Sequence, residues 1–442
     1  MQHTTFDQPP IDQRQPRELS RGDRRKRMLA VGIGNFMEWF DFAIYGYFAA
    51  IIGAQFFPSG DATAEMLSAL AVFAVGFVSR PVGALILGPM GDRLGRRAVL
   101  IITVMGMGII TALIGLVPSY AAIGILAPIA IVALRLLQGM MVGGEWTSAA
   151  AYIGESAPAH RRGLYASVVT ATAGLAFLVG TLTAVVLTAT MDADALSAWG
   201  WRVPFIASFL MAVVAVYIRR KLEDTPVYEE LERKRKEGSV EPTTAGEKGK
   251  AFVLTLAFAG IFGVSLYYLV TYTNNYLTGA VGMERFDALW STAVVMVLYV
   301  AFNPLMGIAA DRWGRRPVNL AGVIGLIVWA VPAFLLMSVG NPWLVIVALV
   351  PFALCVAAVA VTNNVLLVEV FPASVRATGS AIGYNVAYAL LAGPGPFIAA
   401  TLVAVTGLLV SPAFYVIAVG IVALAVLWPL LPETKGRDIS RG

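Results

Sequence analysis

Cysteine is almost absent from the 442 residues. Cys355 stands alone, so neither an intrachain disulfide framework nor a thiolate metal cage can form. Histidine is nearly as scarce. His3 and His160 lie in polar stretches, which leaves no histidine ligand set and no imidazole relay inside the apolar runs. Charge is the third shortage: Asp, Glu, Lys and Arg make up 13% of the chain, about half the share usual in soluble domains. Hydrophobic residues make up 58%. Such a chain cannot cover itself with polar surface in water, so lipid is its expected solvent. No nucleotide loop, nucleophile–base pair or metal-ligand set is evident, so an enzyme is not expected and no cofactor or metal is called for. The net charge of +5 is modest and does not point to nucleic acid.

What the chain does have is twelve apolar runs, each near the roughly 20 residues that a helix needs to cross ~30 Å of hydrocarbon. They fall at 29–57, 65–89, 98–118, 121–150, 164–190 and 202–219, then at 251–278, 287–310, 318–338, 343–368, 376–404 and 410–431. The fold class read from them is an all-α membrane protein of twelve transmembrane helices in two six-helix bundles. The expected divisions are a tail at 1–28, a first bundle at 29–219, a polar linker at 220–250, a second bundle at 251–431 and a tail at 432–442. Of the 32 Lys and Arg, all but Arg80, Arg135, Arg202 and Arg285 fall in segments on one face. The loops of the other face hold Asp61, Glu65, Asp192, Asp194, Glu284 and Asp287, with Arg285 as their one cation. The bias predicts a cell inner (plasma) membrane protein with both termini cytoplasmic.

The two halves repeat a motif. Gly88-Pro-Met-Gly-Asp92-Arg93-Leu-Gly95-Arg96-Arg97 follows the second span, and Gly307-Ile-Ala-Ala-Asp311-Arg312-Trp-Gly314-Arg315-Arg316 follows the eighth. A second pair follows the fourth and tenth spans: Glu155 with Arg162, and Glu369 with Arg376, both seven residues apart. Two matched pairs indicate duplicated bundles related by an axis along the membrane normal. An aspartate at such a turn can accept from a neighbouring helix N-terminus and from an arginine. Asp92, Arg93, Glu155, Arg162, Asp311, Arg312, Glu369 and Arg376 are therefore candidates for a gate at the basic face. Setting topology is the plainer role for the arginines.

Charges inside the spans are candidates for function, because each costs ~2.5–3.5 kcal/mol there even on forgiving scales. Glu38, Asp41, Arg80, Arg135 and Glu145 all lie in the first half. Glu38, Asp41 and Glu145 are the carboxylates that could carry a proton. Asn35 and Glu38 share a helix face, with Asp41 about 60° aside; Arg135, Gln138 and Glu145 share another. Arg80 and Arg135 could read a carboxylate or brace helices. The second half offers Tyr267, Tyr268, Tyr272, Asn275, Asn364 and Asn385, either for binding polar groups or for packing. Its tyrosines could also receive a quaternary ammonium. Arg202, beside Trp199 and Trp201, reads as an interfacial anchor, and Gly393-Pro-Gly-Pro396 as a kink.

The GxxxDRxGRR repeats resemble the signature of the major facilitator superfamily, and Arg135-Leu-Leu-Gln138-Gly139 resembles its RxxQG pattern. More narrowly, four stretches resemble the metabolite:H+ symporter family: Gly34-Asn35-Phe36-Met37-Glu38-Trp39-Phe40-Asp41-Phe42, Gly76 to Gly83 with Arg80-Pro81, Gly143-Gly144-Glu145-Trp146, and Trp199 to Phe205. The resemblance implies a facilitator fold with a central cavity lined by the first, fourth, seventh and tenth helices. It also implies proton-coupled symport of a small carboxylate-bearing metabolite by rocker-switch alternating access. Phe56-Phe57-Pro58-Ser59-Gly60 is similar to the α-ketoglutarate permease, and Tyr267-Tyr268, Tyr276-Leu277 and Pro432-Glu433-Thr434 to the proline/betaine transporters. A proline- or betaine-like zwitterion is the first expectation and a dicarboxylate the second. A proton-coupled drug antiporter and a non-transporting sensor are the alternatives. The expected partners are the small solute, H+ and the bilayer, with no obligate protein partner.

Overall fold

The computed structural model describes residues 21–94, 96–143, 146, 150, 153, 157–219, 244–371 and 376–437. Among them there is no strand. Glu145 and Glu155 lie outside the described residues, and so do the side chains of Asp92 and Arg93.

The apolar runs fold into twelve helices. In the first half they are α1 (Arg21–Tyr47, resuming as Ala49–Phe56), α2 (Ala62–Val78, resuming as Arg80–Leu94), α3 (Arg96–Leu116), α4 (Leu126–Val142), α5 (Arg162–Thr190) and α6 (Arg202–Arg219). In the second half they are α7 (Ala245–Tyr267, running on to Ala280), α8 (Arg285–Trp313), α9 (Arg315–Met337), α10 (Pro342–Glu369), α11 (Arg376–Ala387, running on to Thr406) and α12 (Pro412–Leu430). Eight are long and apolar enough to cross a membrane by length and composition: α2, α5 and α7 to α12. The apolar stretches of α3 and α4 are shorter, and α6 joins a preceding turn at a bend of 40°.

The helices are less regular than the apolar runs suggest. The first run breaks at Phe48, between Tyr47 and Ala49. Three π-helical turns interrupt the second half: Tyr268–Tyr272 and Tyr276–Ala280 in α7, and Tyr388–Ala392 in α11. In α11 the Gly393 N–H bonds the Tyr388 carbonyl at 2.8 Å, five residues back. Pro394 then has no N–H to offer and ends the ladder, so the helix restarts at Gly395.

The halves pack alike. In the first, α1 lies on α5, α2 on α4, and α3 on α6; in the second, α7 lies on α11, α8 on α10, and α9 on α12. Between halves, α5 packs along α8, α2 against α11 and α1 against α7. This repeated pattern is the duplication that the sequence motifs mark.

One seam positions the site. Gly139 and Gly143, four apart on α4, sit against the backbone of α2. A Cβ on Gly139 would strike the Gly76 carbonyl and the Ser79 hydroxyl, and one on Gly143 the Arg80 carbonyl. Close backbone approach at small residues is the usual way helices associate in lipid, where burial of apolar surface gives no drive. Gly139→Val should therefore lower the melting temperature of the purified protein sharply, by an overpacking cost of ~1–3 kcal/mol or more. Gly246→Ala, with nothing within 4 Å of its Cβ, should leave it unchanged.

Candidate functional site

The described charges of the first-half spans form two clusters, and the one around Arg80 faces the second half. Glu38 and Arg80 are both fully buried, and Glu38 Oε1 lies 3.8 Å from Arg80 Nη2. The Arg80 guanidinium stands over Phe77 at 4.4 Å, Phe42 at 4.8 Å and Tyr388 at 5.8 Å. Its Nε and Nη2 make no hydrogen bond among the described residues. Around it is an aromatic box drawn from both halves. Trp39 meets Trp146 edge-on at 5.0 Å, and Trp146 stacks on Tyr384, which stacks on Tyr388 at 4.2 Å. Tyr267 touches Trp39, Phe77 and Tyr388. Trp146 Nε1 is buried and makes no hydrogen bond among the described residues, and the Tyr267 hydroxyl is buried beside Arg80. A buried cation, a carboxylate and unmatched donors inside aromatic walls suit a small polar solute with an apolar body.

Asp41 belongs to a second cluster. Its carboxylate accepts from the Thr111 hydroxyl of α3 at 2.6 Å and the Ser208 hydroxyl of α6 at 2.8 Å. Gln138 donates to the same Thr111 oxygen at 2.7 Å and accepts from Arg135 Nη1 at 2.5 Å. The Arg135 Cζ lies 3.4 Å from the Tyr45 ring centroid, and its Nε and Nη2 make no geometric hydrogen bond among the described residues. A continuous line thus runs from Arg135 through Gln138 and Thr111 to Asp41. Glu38 and Asp41, one turn apart in sequence, face different partners.

Other candidates sit elsewhere. Asn35 is fully engaged: it donates to the Val169 carbonyl and Thr172 hydroxyl, and accepts from Trp39 Nε1 at 3.0 Å. It orients the Trp39 wall of the box. Tyr268 and Tyr272 face away from Arg80, among Phe334 of α9 and Tyr415 of α12. Asn364 is buried on α10 and accepts from Asn363 at 3.2 Å. Asn275 and Asn385 bridge the halves, to the Gly46 carbonyl at 3.0 Å and the Gly143 carbonyl at 2.5 Å.

Both faces are tied shut. At the basic face Asp311 accepts from the Gly163 and Leu164 amides at 2.8 and 2.9 Å, capping the start of α5 across the halves. Glu369, 1% exposed, meets Arg162 at 3.2 Å and Arg315 at 3.3 Å, and accepts from the Thr434 hydroxyl at 2.5 Å. Arg162 also donates to the Arg437 carbonyl at 2.7 Å. The segment after α12 is therefore part of this cluster, and Glu433 caps the first amides of α9. Arg312 is exposed, and Arg376 is buried at the start of α11. Arg315, a topology marker by the charge rule, is buried in the network together with Arg162, and the pattern that could have found it is its spacing of four from Asp311. At the other face the Arg285 guanidinium donates to the Tyr47 carbonyl at 2.9 Å, beside the break in α1.

Twelve helices in two like-packed halves, closed at both faces over a buried arginine and its aromatic walls, define a secondary transporter of the major facilitator fold. The profile of the sugar (and other) transporter family matches residues 28–251 and again 229–441, and the chain belongs to that family. Among curated relatives it is 32% identical to the proline/betaine transporter of Escherichia coli, over 97% of this chain and 88% of that protein. It is 35% identical to the inner membrane metabolite transport protein YhjE of the same organism, over 94% and 96%, and 32% identical to its alpha-ketoglutarate permease, over 95% and 97%. A D-xylose-proton symporter crystal structure shares the fold with a TM-score of 0.74 at 20% identity, covering 94% of this chain and 99% of that one. The chain is a transporter and not an enzyme.

Proposed function

We propose that this chain is a proton-coupled symporter of a small carboxylate-bearing zwitterion, of the proline or betaine kind. It sits in the cell inner (plasma) membrane with both termini cytoplasmic and works by rocker-switch alternating access. The observation that carries the reading is the single guanidinium of Arg80, paired to Glu38 through Nη2 and with its Nε making no hydrogen bond among the described residues, inside an aromatic box. A zwitterion's carboxylate would take the Nε edge of Arg80, and its ammonium would lie against Trp39, Trp146 and Tyr267, with Glu38 for counter-charge. Glu38, Asp41 and Glu145 remain the carboxylates proposed for the proton. The gate proposed at the basic face is Asp92, Arg93, Glu155, Arg162, Asp311, Arg312, Glu369 and Arg376, with Arg315 added. The names of the proline/betaine relatives agree with the solute class. A dicarboxylate is the second reading, favoured by the buried Arg135, whose Nε and Nη2 make no geometric hydrogen bond among the described residues and which would supply a second cation.

Uptake into proteoliposomes under an imposed pH gradient tests both. Proline or glycine betaine should accumulate, and a protonophore should collapse the gradient. Arg80→Gln should weaken solute binding by at least roughly thirtyfold, the cost of ~2–5 kcal/mol expected when one partner of a buried charge pair is removed. Arg80→Lys should recover part of it. Uptake of α-ketoglutarate but of neither zwitterion would move the assignment to the second reading. No uptake of any of them would leave the drug-antiporter and sensor alternatives.

A further inference from the structure

On the outside of the first half, α3 and α6 leave an apolar groove of about 650 Å³. Ile109, Leu113 and Leu116 line it from α3, and Val203, Ile206 and Leu210 from α6. From Ile109 to Leu116 it runs about 10 Å along the helix axis. Arg202 lies across the end nearest the acidic loops. Its Nη1 donates to the Gly115 and Val117 carbonyls at 2.8 and 2.6 Å, on either side of Leu116, and its Cζ lies 4.5 Å over the Trp201 ring. Arg202 is half-buried and has no ion pair among the described residues. Trp199, exposed one turn earlier, marks this level as the membrane interface.

An aliphatic groove takes whatever chain lies beside it. The cation at its end narrows the choice. A second copy of the protein seated here would press Arg202 against another apolar face with no counter-charge, which is costly. A lipid with an anionic headgroup supplies both halves of the match. We infer that the α3–α6 groove is a binding site for one anionic phospholipid. Its acyl chain lies between the two helices, and its phosphate accepts from the outward N–H groups of Arg202. The same turns of α3 and α6 present Thr111 and Ser208 inward to Asp41, so this lipid lies directly behind the hydroxyls that hold that carboxylate.

The test is native mass spectrometry of the purified chain, loaded with phosphatidylglycerol or phosphatidylcholine of identical acyl chains. The wild type should retain phosphatidylglycerol preferentially. Arg202→Gln should lose about fivefold of that preference, the share expected of one basic residue near an anionic surface. Arg202→Lys should keep most of it, which separates charge from the carbonyl bonds. Ala112→Trp, which fills the groove, should reduce retention of both lipids. Equal retention of the two lipids by the wild type would overturn the site. So would an undiminished preference in Arg202→Gln, or a change in oligomeric state without lipid loss in Ala112→Trp.

Discussion

Asp41→Asn should abolish uptake against a gradient while sparing solute exchange. Uphill symport needs a group whose protonation differs between the two faces, and the histidines are not in the spans. Asp41 is buried with two hydroxyl donors and with the Arg135–Gln138–Thr111 line ending on it. Asparagine keeps the shape, and its oxygen can still accept from one of the two hydroxyls while its amide nitrogen donates to the other, but it cannot load and release a proton. Exchange moves solute for solute and needs no net proton. Glu38→Gln should behave differently, because Glu38 faces Arg80: solute affinity should fall along with accumulation. Glu145→Gln completes the set. Measuring exchange and pH-driven accumulation for all three separates the roles. If every variant still concentrates solute against a gradient that a protonophore collapses, no intramembrane carboxylate carries the proton.

Glu369→Gln should open the basic face. In the closed arrangement one carboxylate neutralises Arg162 and Arg315 and holds Thr434. Breaking a buried pair by removing one partner costs ~3–5 kcal/mol, here charged to the closed state alone. That corresponds to a shift of roughly a hundredfold or more toward states open at this face. The readout is a single cysteine at Ser167, which is buried on α5 behind the cluster, in a Cys355→Ala background. A bulky maleimide should label it faster in Glu369→Gln. Unchanged labelling in well-expressed protein would mean that Glu369 only braces the fold.

Much of the architecture was legible because lipid imposes a simple rule: about 20 apolar residues per crossing, with lysine and arginine kept to one face. The repeated glycine–aspartate–arginine motif added the duplication. The buried carboxylates and arginines of the first half were also legible, since charge inside an apolar run stands out. Their partners were not. Thr111 and Ser208 look like ordinary small residues in apolar helices, and nothing in the chain marks them as ligands of Asp41. The helix 7 tyrosines stand together in the sequence as candidates for binding or for packing, and composition alone does not divide them. Neighbouring residues on a helix point about 100° apart, and the π-helical turn Tyr268–Tyr272 shifts the phase further. Tyr267 enters the box, while Tyr268 and Tyr272 turn into the second bundle. The role of Glu433, Thr434 and Arg437 was hidden because a polar tail carries no periodicity to read.

The glycine seam between α2 and α4 has a mechanical meaning. Arg80 rides on one of these helices and Arg135 on the other, and the Gly76, Gly139 and Gly143 contacts leave no side-chain layer between them to slide or compress. The two guanidiniums are mounted on one stiff plate. In the proposed cycle a carboxylate that draws on Arg80 would act on the seam, and through it on Arg135 and the Gln138–Thr111 line that ends on Asp41. Solute and proton could then sense each other without touching, through the rigidity of two helices that glycine lets meet at their backbones.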